Sequence, residues 1–257
     1  MSVRGVDYSH YQNPPSTAHA PDPSKMLRDG VEFVIIKAWE ADHSDPNFIE
    51  NMHAARNAGM PAMAYVFLHS GDNDSRMQKC FDLIGTDTVL CLDWEDANTP
   101  ASIVEAWMDA YEGQYNRRGM CYYGLYPPGN PTARIGEWPR WFPQYNTSPK
   151  LPPWDGLNPT PDWRECYAIW QNSDSGHVDG VSGPVDTNFL APSLNIQELV
   201  DWLNQGRPPR PHIDIVEPAI KLLQLSLNMA GYNAGAVDGL WGPHTQQAID
   251  EYSGWKE

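Results

Sequence analysis

The chain has 257 residues, 33 acidic and 17 basic side chains, and a formal net charge of −16. Its mean hydropathy of −0.55 and its 41% of hydrophobic residues exclude a disordered chain and a protein made of membrane helices. The negative charge excludes a sequence-independent grip on nucleic acid phosphates or other polyanions.

Apolar runs of strand length alternate with helical patterns along the first two-thirds of the chain. In order, these runs are RGVDYS, VEFVIIKAW, PAMAYVFLH, TVLCLDWE, GMCYYG, WFPQYN, CYAIWQ and a short stretch near PVDTNF. This alternation predicts βα units around a mainly parallel sheet.

Three early segments have the caps and apolar faces of crossover helices. We expect the first over 45–59, with Asp45 as its cap and Ile49 on its buried face, the second over 74–85 and the third over 99–119. Beyond Gly124, proline-rich loops interrupt the alternation of strand and helix patterns. We therefore expect the later strands to be joined without helices, in an irregular TIM-like β/α barrel.

The end of the chain predicts a second domain. A helix in NIQELVDWLN closes the first domain, at residues 1–204, and the Pro-rich stretch 205–212 is typical of a linker. Residues 213–257 contain amphipathic segments divided by Gly-rich turns. There are two such segments, and they predict a small all-α domain.

Four cysteines and the first residues bear on where the protein is made. Cys80, Cys91, Cys121 and Cys166 lack paired metal-ligand spacing and lie in or beside apolar runs, which indicates reduced core residues. The start, MSVRGVDYSHYQ, has no apolar signal segment, and no stretch is long enough to span a membrane. We therefore expect synthesis in the cytoplasm and no membrane insertion.

Polar residues follow most of the predicted strands, where parallel α/β folds place their chemistry. These strand-end residues are Asp7, Glu40, His69, Asp93, Glu95, Tyr123, Gln171 and Asp186. Because the carboxyl ends of parallel strands share one edge of the sheet, we expect the acidic groups to meet there. We call this end of the barrel its mouth.

Asp93 and Glu95 form the sharpest feature of this set. Residues two apart on a strand point to the same face, so both carboxyl groups of LCLDWED are predicted to face the mouth. Like charges and aromatic neighbours such as Trp94 or Trp170 raise a carboxyl pKa. Such a pair supplies a general acid and an anion for glycoside hydrolysis, and the longer side chain favours Glu95 as the acid.

Metal binding and catalysis by a serine or cysteine nucleophile are the two alternatives to glycoside hydrolysis. Several carboxylates also suit a hard divalent cation, but no spaced histidine motif accompanies them, so we expect no metal and no cofactor. No GxSxG segment predicts a serine nucleophile, and Cys91 and Cys121 lie inside predicted strands.

Six ordered motifs resemble glycoside hydrolase family 25, the Chalaropsis-type lysozymes. They are GVDYSHYQ, FVIIKAWE, AMAYVFLH, LCLDWED, IWQN and PVDTNFL, and they cover about residues 1 to 204. The resemblance implies an irregular β/α barrel. It also implies hydrolysis of the β-1,4 bond from N-acetylmuramic acid to N-acetylglucosamine in bacterial peptidoglycan.

The same resemblance implies the residues of the site. The catalytic positions fall on Asp7, Asp93, Glu95 and Asp186, with Glu95 as proton donor. The substrate-binding positions fall on Tyr65, Phe67, Tyr123, Tyr145, Trp170 and Gln171. The resemblance also implies a nucleophile. It is either the N-acetyl group of the substrate, oriented by a carboxylate such as Asp93, or an aspartate. Val66 lies between Tyr65 and Phe67, where many members of the family carry a histidine, and this replacement could alter the substrate preference.

The tail resembles the peptidoglycan-binding domain type 1 through LLQLSLNMAGY followed by AVDGLWGPHTQQAIDEYSG, with Asp238, Gly239, Gly242 and Thr245 at its signature positions. This resemblance implies that residues 213–257 form a domain of three small helices. Together the resemblances imply a monomeric phage endolysin with bacteriolytic, antimicrobial action. It would stay in the host cytoplasm until a membrane-permeabilising partner, a holin, releases it to the wall. The alternative is a wall-binding or virion structural module that has lost catalysis.

Overall fold

The computed structural model describes residues 3–12, 20–71, 74–145, 148–156, 158, 160–204, 216–237 and 243–253. The chain divides into two compact units, Met1–Arg207 and Pro208–Glu257. The predicted linker, 205–212, lies outside the described residues. Across the described ranges, no helix has the length and apolar character that a membrane span requires.

Nine strands in the described part of the first unit form one sheet. They are β1 Arg4–Tyr8, β2 Val31–Glu40, β3 His43–Ser44, β4 Ala62–Phe67, β5 Leu90–Asp93, β6 Met120–Tyr122, β7 Arg140–Pro143, β8 Ile169–Gly176 and β9 Val185–Leu190. Pairing of β1 with β2 closes eight of them into a barrel in the order β1, β2, β4, β5, β6, β7, β8, β9, while β3 forms a short hairpin on β2. The predicted irregular β/α barrel is confirmed.

Among the described residues of the first unit, five α-helices accompany the barrel: α1 Pro23–Arg28, α2 Phe48–Asn57, α3 Asp74–Ile84, α4 Ala101–Tyr115 and α5 Ile196–Asn204. The three predicted crossovers correspond to α2, α3 and α4. Between β6 and β7 the described chain has only a 3-10 turn, Ile135–Glu137, as expected for the later connections. The sequence did not predict α1 or β3, both of which are short.

Strand β9 runs against its neighbours. It pairs antiparallel with both β8 and β1, whereas the other barrel pairs are parallel. Its amino end therefore lies at the same edge as the carboxyl ends of the parallel strands. This reversal brings Asp186, near the start of β9, to the mouth.

Alternation along the strands divides the core into two clusters. One contains Val34, Leu90 and Leu92 together with Phe81 and Trp107 from the helices, so it lies between the barrel and its outer layer. The other contains the alternate strand residues, which fill the barrel; among them are Phe33, Ile35, Met63, Cys91, Met120 and Trp141. The period of two thus assigns each strand side chain to the inside or the outside.

The start of α2 corrects the sequence prediction. The helix begins at Phe48 with Asn47 at its cap position, and the Asp45 carboxylate accepts the backbone N–H groups of His10 and Asn47 at 2.9 Å each. Asp45 therefore anchors the preceding turn rather than capping the helix. Ile49 is 49% exposed, because the buried face of α2 consists of Phe48, Asn51, Met52 and Ala55, and Ile49 lies beside this i, i+3, i+4, i+7 stripe.

The described part of the second unit contains two helices, α6 Val216–Met229 and α7 Pro243–Ser253, and the expected third helix stays a prediction. Leu227, Ala234 and Ala248 form its small core. Buried Thr245 accepts a hydrogen bond from the Gln224 amide at 3.1 Å, which ties the two helices together. Asp238, Gly239 and Gly242 of the predicted wall-binding signature lie outside the described residues.

Candidate active site

Asp7 and Asp186 face each other at the mouth of the barrel. They are direct partners in the antiparallel pairing of β1 with β9. Gln171 on β8 joins them, because its amide nitrogen lies 3.0 Å from Oδ2 of Asp7 and 3.1 Å from Oδ2 of Asp186. The expected meeting of carboxylates from distant segments is therefore present on this side of the mouth.

Gln171 is held by two phenols. Its carbonyl oxygen accepts a hydrogen bond from Tyr122 at 3.0 Å and another from Tyr145 at 3.1 Å. With both oxygen lone pairs occupied, the amide nitrogen must point toward the aspartates. The hydrogen bonds thus fix the orientation of the amide.

Asn188 gives Asp7 a second donor. Its amide nitrogen lies 2.7 Å from Oδ2 of Asp7, and its own oxygen accepts the Trp141 indole N–H at 2.7 Å. Asn188 is fully buried and lies two residues after Asp186 on β9, on the same face. That spacing in PVDTN was the available signal for a residue that the sequence argument missed.

The two aspartates have raised pKa values. Burial is the main cause for Asp7, and the charge of Asp186 adds to it, while the amide donors of Asn188 and Gln171 oppose the rise. Burial, followed by the charge of Asp174, raises the pKa of Asp186 to about 6. Two adjacent carboxyl groups in a desolvated site favour retention of one proton between them.

Asp93 and Glu95 lie on the next part of the mouth. Asp93 is the last residue of β5 and is buried, and its Oδ1 has no hydrogen-bond partner among the described residues. Glu95 lies beyond the strand and is exposed at the rim. The pair therefore shares the mouth as predicted, although Glu95 reaches it from a loop rather than from the strand face.

Desolvation in the mouth raises the pKa of both carboxyl groups. For Asp93, burial comes first and the charge of Glu95 second; for Glu95, which keeps an exposed edge, partial desolvation by the surrounding protein is the largest cause of the raised pKa. The positive charge of Lys37 opposes the rise in both. Near neutral pH this environment favours the protonated form of a carboxyl more than water does.

Lys37 is a cation inside the apolar run FVIIKAWE, and it was not among the predicted site residues. It is buried on β2, forms an ion pair with Glu40, and lies 5.4 Å from the Phe67 ring centroid and 5.9 Å from that of Tyr65. Burial alone would raise the pKa of Glu40, but the hydrogen bond and charge of Lys37 outweigh it and lower the pKa. A charged residue within a strand-like apolar run was the signal for it.

A cavity of about 370 Å³ opens beside Glu95. The aromatic residues that line it are Trp94, Tyr122, Tyr126 and Tyr145. The Trp94 indole donates to the Thr99 carbonyl at 2.8 Å, which fixes the wall behind Glu95. Tyr122 and Tyr145 line the cavity and also donate hydrogen bonds to Gln171, so the cavity lies next to the acidic residues.

The predicted aromatic positions divide into two groups. Tyr65 and Phe67 lie at the mouth around Lys37, and Tyr145 lines the cavity. Trp170 donates its indole N–H to the Gln144 carbonyl at 2.8 Å and packs against Phe189 at 6.1 Å between ring centroids. It therefore supports the loop before Tyr145 from the side, next to Gln171, which faces inward.

Tyr123 needs a correction. It is buried in the cluster between the barrel and its outer layer, with its ring 6.0 Å from Trp94 and 4.0 Å from the Arg140 guanidinium. Tyr122 instead faces the barrel interior and reaches Gln171. The alternation of adjacent strand residues explains the exchange: the motif located the strand end correctly but the inward side chain is one residue earlier.

Across the residues that the structure describes, no group of three or more His, Cys, Asp or Glu side chains is arranged to hold a metal ion. The carboxylates of the mouth are engaged with amide donors, with Lys37 or with each other's charge. The four cysteines, all within the described ranges, form no disulfide, and Cys80, Cys91 and Cys121 are buried.

Sequence comparison agrees with this geometry. The chain matches the model of glycosyl hydrolases family 25 over residues 6–181. It is 27% identical over 218 residues to the uncharacterised protein YegX of Escherichia coli K12, which covers 79% of this chain and 75% of that protein. It is 24% identical over 246 residues to the autolytic lysozyme of Clostridium acetobutylicum, over 90% of this chain and 68% of that protein.

Among solved structures, the bacterial lysozyme from Streptomyces coelicolor has a similar fold. The TM-score is 0.58 at 21% sequence identity, over 80% of this chain and 98% of that one. The family match spans more than half of the chain and includes Asp7, Asp93 and Glu95. The protein therefore belongs to glycosyl hydrolases family 25 and is a glycoside hydrolase of the lysozyme, or muramidase, class.

Proposed function

We propose that the protein hydrolyses the β-1,4 bond between N-acetylmuramic acid and N-acetylglucosamine in bacterial peptidoglycan. The observation that carries this proposal is the meeting of Asp7, Asp93, Glu95 and Asp186 at one mouth beside an aromatic cavity. Flat aromatic faces suit the apolar faces of sugar rings, and paired carboxyl groups suit glycoside hydrolysis.

Glu95 is the proposed general acid. It lines the cavity where a glycosidic oxygen would lie, and its raised pKa favours the protonated form that must donate. In the first step its proton moves to the leaving oxygen as the bond from that oxygen to the anomeric carbon breaks and the nucleophile, the N-acetyl carbonyl oxygen or an aspartate carboxylate, bonds to that carbon. In the second step a water oxygen bonds to the anomeric carbon and displaces the nucleophile, while the Glu95 carboxylate accepts the proton that the water loses.

Asp93 lies behind Glu95 as the residue that ends β5. Its Oδ1 is buried and has no hydrogen-bond partner among the described residues, so this carboxyl group lacks a donor that the N–H of a substrate N-acetyl group would supply. We propose that Asp93 orients this group or stabilises the positive charge that develops at the anomeric carbon. Asp7 and Asp186, held by Gln171 and Asn188, contribute negative charge on the opposite side of the mouth.

The enzyme proposal is tested with purified peptidoglycan and an assay for new reducing ends. Wild type should release them, and Glu95→Gln should reduce release by about a thousandfold or more, since the amide cannot donate the required proton. Glu50→Gln, which changes an exposed carboxyl on α2, is the matched control. Undiminished release from Glu95→Gln would contradict the assignment.

The identity of the new end tests the bond. After borohydride reduction of the products, cleavage on the proposed side converts N-acetylmuramic acid ends to the alcohol and leaves N-acetylglucosamine unreduced. Reduced glucosamine instead of reduced muramic acid would replace the muramidase proposal with a glucosaminidase. The two outcomes differ in a single chromatographic measurement.

We further propose an endolysin role, in which the second unit binds the wall and a holin-type partner permeabilises the membrane. The division into two compact units supports it, as do the two helices joined through Gln224 and Thr245. Produced in the cytoplasm of a bacterium whose walls it digests, the protein should lyse cells only after the membrane is permeabilised. Lysis without permeabilisation would contradict this role, and sedimentation tests the expected monomer.

The alternative is a wall-binding or virion structural module without catalysis. The presence of all four carboxyl groups and of the amides that orient them weighs against it. Tight binding of the wild-type chain to peptidoglycan with no new reducing ends would favour this alternative.

A further inference from the structure

Tyr11 is an exposed aromatic residue at the mouth that the proposed mechanism does not use. It belongs to a 3-10 turn, His10–Gln12, just beyond the end of β1, and 70% of its surface is exposed. Its ring centroid lies 5.9 Å from Nζ of Lys37, the cation whose charge acts on Asp93 and Glu95. An exposed tyrosine therefore lies beside the cation that acts on the acidic residues.

The strand order places Tyr11 across the barrel from the aromatic cavity. In the closed order, β1 and β6 are separated by three strands in either direction. The cavity beside Glu95 is lined from the ends of β5, β6 and β7, whereas Tyr11 follows β1. A chain of sugars that leaves the cavity and crosses the mouth would pass the acidic residues before it reached Tyr11.

The orientation of Tyr11 is fixed from behind. Its ring lies 4.1 Å from the His10 ring, centroid to centroid, at an interplanar angle of 36°. Oδ2 of the buried Asp45 accepts the His10 backbone N–H at 2.9 Å and lies 2.7 Å from His10 Nδ1. This support reduces the conformational entropy that a mobile side chain would lose on binding.

We propose that Tyr11 forms a second sugar subsite, on the β1 side of the mouth, where its ring stacks on the apolar face of an N-acetylhexosamine. The inference rests on the proposed muramidase function and deepens it, because it assigns the far end of the glycan path. A rigid, exposed aromatic ring offers contact area at low entropic cost. His10 and Asp45 are positioning residues that hold the ring.

Kinetics on soluble glycan chains, freed of peptide, test the subsite. Tyr11→Ala should raise KM about three- to tenfold and leave kcat near wild type, as expected for the loss of one aromatic contact. Tyr11→Trp, which keeps a flat ring, should restore KM. Leu27→Ala removes an exposed apolar side chain from α1 and is the control.

Glycan length and a second variant sharpen the test. Shortening the glycan until it no longer crosses the mouth should abolish the difference between Tyr11→Ala and wild type. Tyr126→Ala removes an exposed ring from the cavity, and its effect on binding free energy should add to that of Tyr11→Ala if both rings hold one glycan. An unchanged KM in Tyr11→Ala, or a loss confined to kcat, would overturn the subsite.

Binding by the Glu95→Gln variant separates this proposal from the enzyme proposal. Isothermal titration with the same glycan chains should show weaker binding for the double variant Glu95→Gln, Tyr11→Ala than for Glu95→Gln alone. Equal affinities would refute the subsite while reducing-end release by wild type still supported the enzyme. Weaker binding without any release by wild type would support the subsite and contradict the enzyme.

Discussion

Asp7 and Asp186 are 179 positions apart in the chain, yet they are direct partners in two antiparallel strands. The side-chain amide of Gln171 donates hydrogen bonds to both carboxyl groups. The pairing depends on the reversed direction of β9. Because the two carboxyl groups and the amide form one unit, a change in any of them is expected to affect the others.

Gln171→Leu tests the role of the shared amide. It removes the donor to both aspartates and the acceptor for Tyr122 and Tyr145. We expect the free energy of unfolding to fall by about 1–3 kcal/mol, because buried polar groups lose their partners. We also expect kcat/KM to fall by at least tenfold, a loss of about 1.4 kcal/mol or more of transition-state stabilisation.

Denaturant unfolding and steady-state kinetics measure these two effects. Gln78→Leu on α3 is the control, since Gln78 is exposed and bonds only within its helix, to Asp82. Unchanged kinetics in Gln171→Leu would mean that the amide does not organise the acidic residues.

The pH dependence of stability should reflect Asp186. Its pKa is raised from 3.8 to about 6 in the folded protein, so between these values the folded state binds more protons than the unfolded state. Stability contributed by this group is therefore present below pH 3.8 and declines as pH rises toward 6.

Asp186→Asn removes this decline, and it should raise stability at neutral pH while lowering activity. Unfolding free energies measured across this pH range test the sign. The exposed variant Asp201→Asn on α5 provides the control. A steeper decline in Asp186→Asn than in wild type would contradict the expected direction.

Lys37→Met should move the alkaline limb of the pH–activity profile to higher pH. Lys37 lowers the pKa of Asp93 and Glu95, so loss of its charge raises both values. The proposed acid, Glu95, must be protonated, and a higher pKa keeps it protonated to higher pH.

The position of the limb is independent of the fraction of enzyme that folds, so it remains informative if Lys37→Met is less stable. Lys37→Arg keeps the positive charge and should return the limb toward the wild-type position. A shift to lower pH in Lys37→Met would show that another group sets the alkaline limb.

Replacement by alanine should have opposite effects on stability at two glycines, because the space around them differs. A Cβ at Gly5 would lie 2.2 Å from Cζ of Phe33, whereas one at Gly113 on α4 would meet nothing within 4 Å. Gly5→Ala should therefore destabilise the protein by about 1–3 kcal/mol through overpacking. Gly113→Ala should stabilise it by about 0.5–1 kcal/mol, because alanine restricts the unfolded chain and favours the helix.

Thermal or denaturant unfolding compares the two variants, and Phe33→Leu combined with Gly5→Ala should recover part of the loss by shortening the opposing side chain. If Gly5→Ala were as stable as wild type, the close contact between β1 and Phe33 would not limit packing.

Local patterns in the sequence were sufficient for most elements of the first unit. The runs that became the eight barrel strands, and the stripe of Met77, Cys80, Phe81 and Ile84 on α3, follow from side-chain periodicity alone. Short elements were missed, because the six residues of α1 and the two of β3 contain too few positions for a periodic pattern.

The candidate site shows the same division at the level of single residues. Asp7, Asp93, Glu95, Asp186 and Gln171 were predicted from their places at strand ends. Tyr123 was chosen in place of Tyr122, because a strand end is located to within a residue while the inward face changes at every residue. Asn188 and Lys37 were identified only when neighbouring strands placed them beside carboxyl groups, and the proposed subsite at Tyr11 likewise depends on the contact of Tyr11 with Lys37.

By itself the sequence determined the order of strands and helices, the reduced state of the cysteines and the residue types available for acid chemistry, because periodicity and residue chemistry are local properties. The tertiary structure decided the closure of the barrel, the reversed direction of β9 and the hydrogen bonds from Gln171 to both aspartates. These depend on contacts between residues far apart in the chain. The raised carboxyl pKa values follow from the same contacts, since they arise from burial and neighbouring charge.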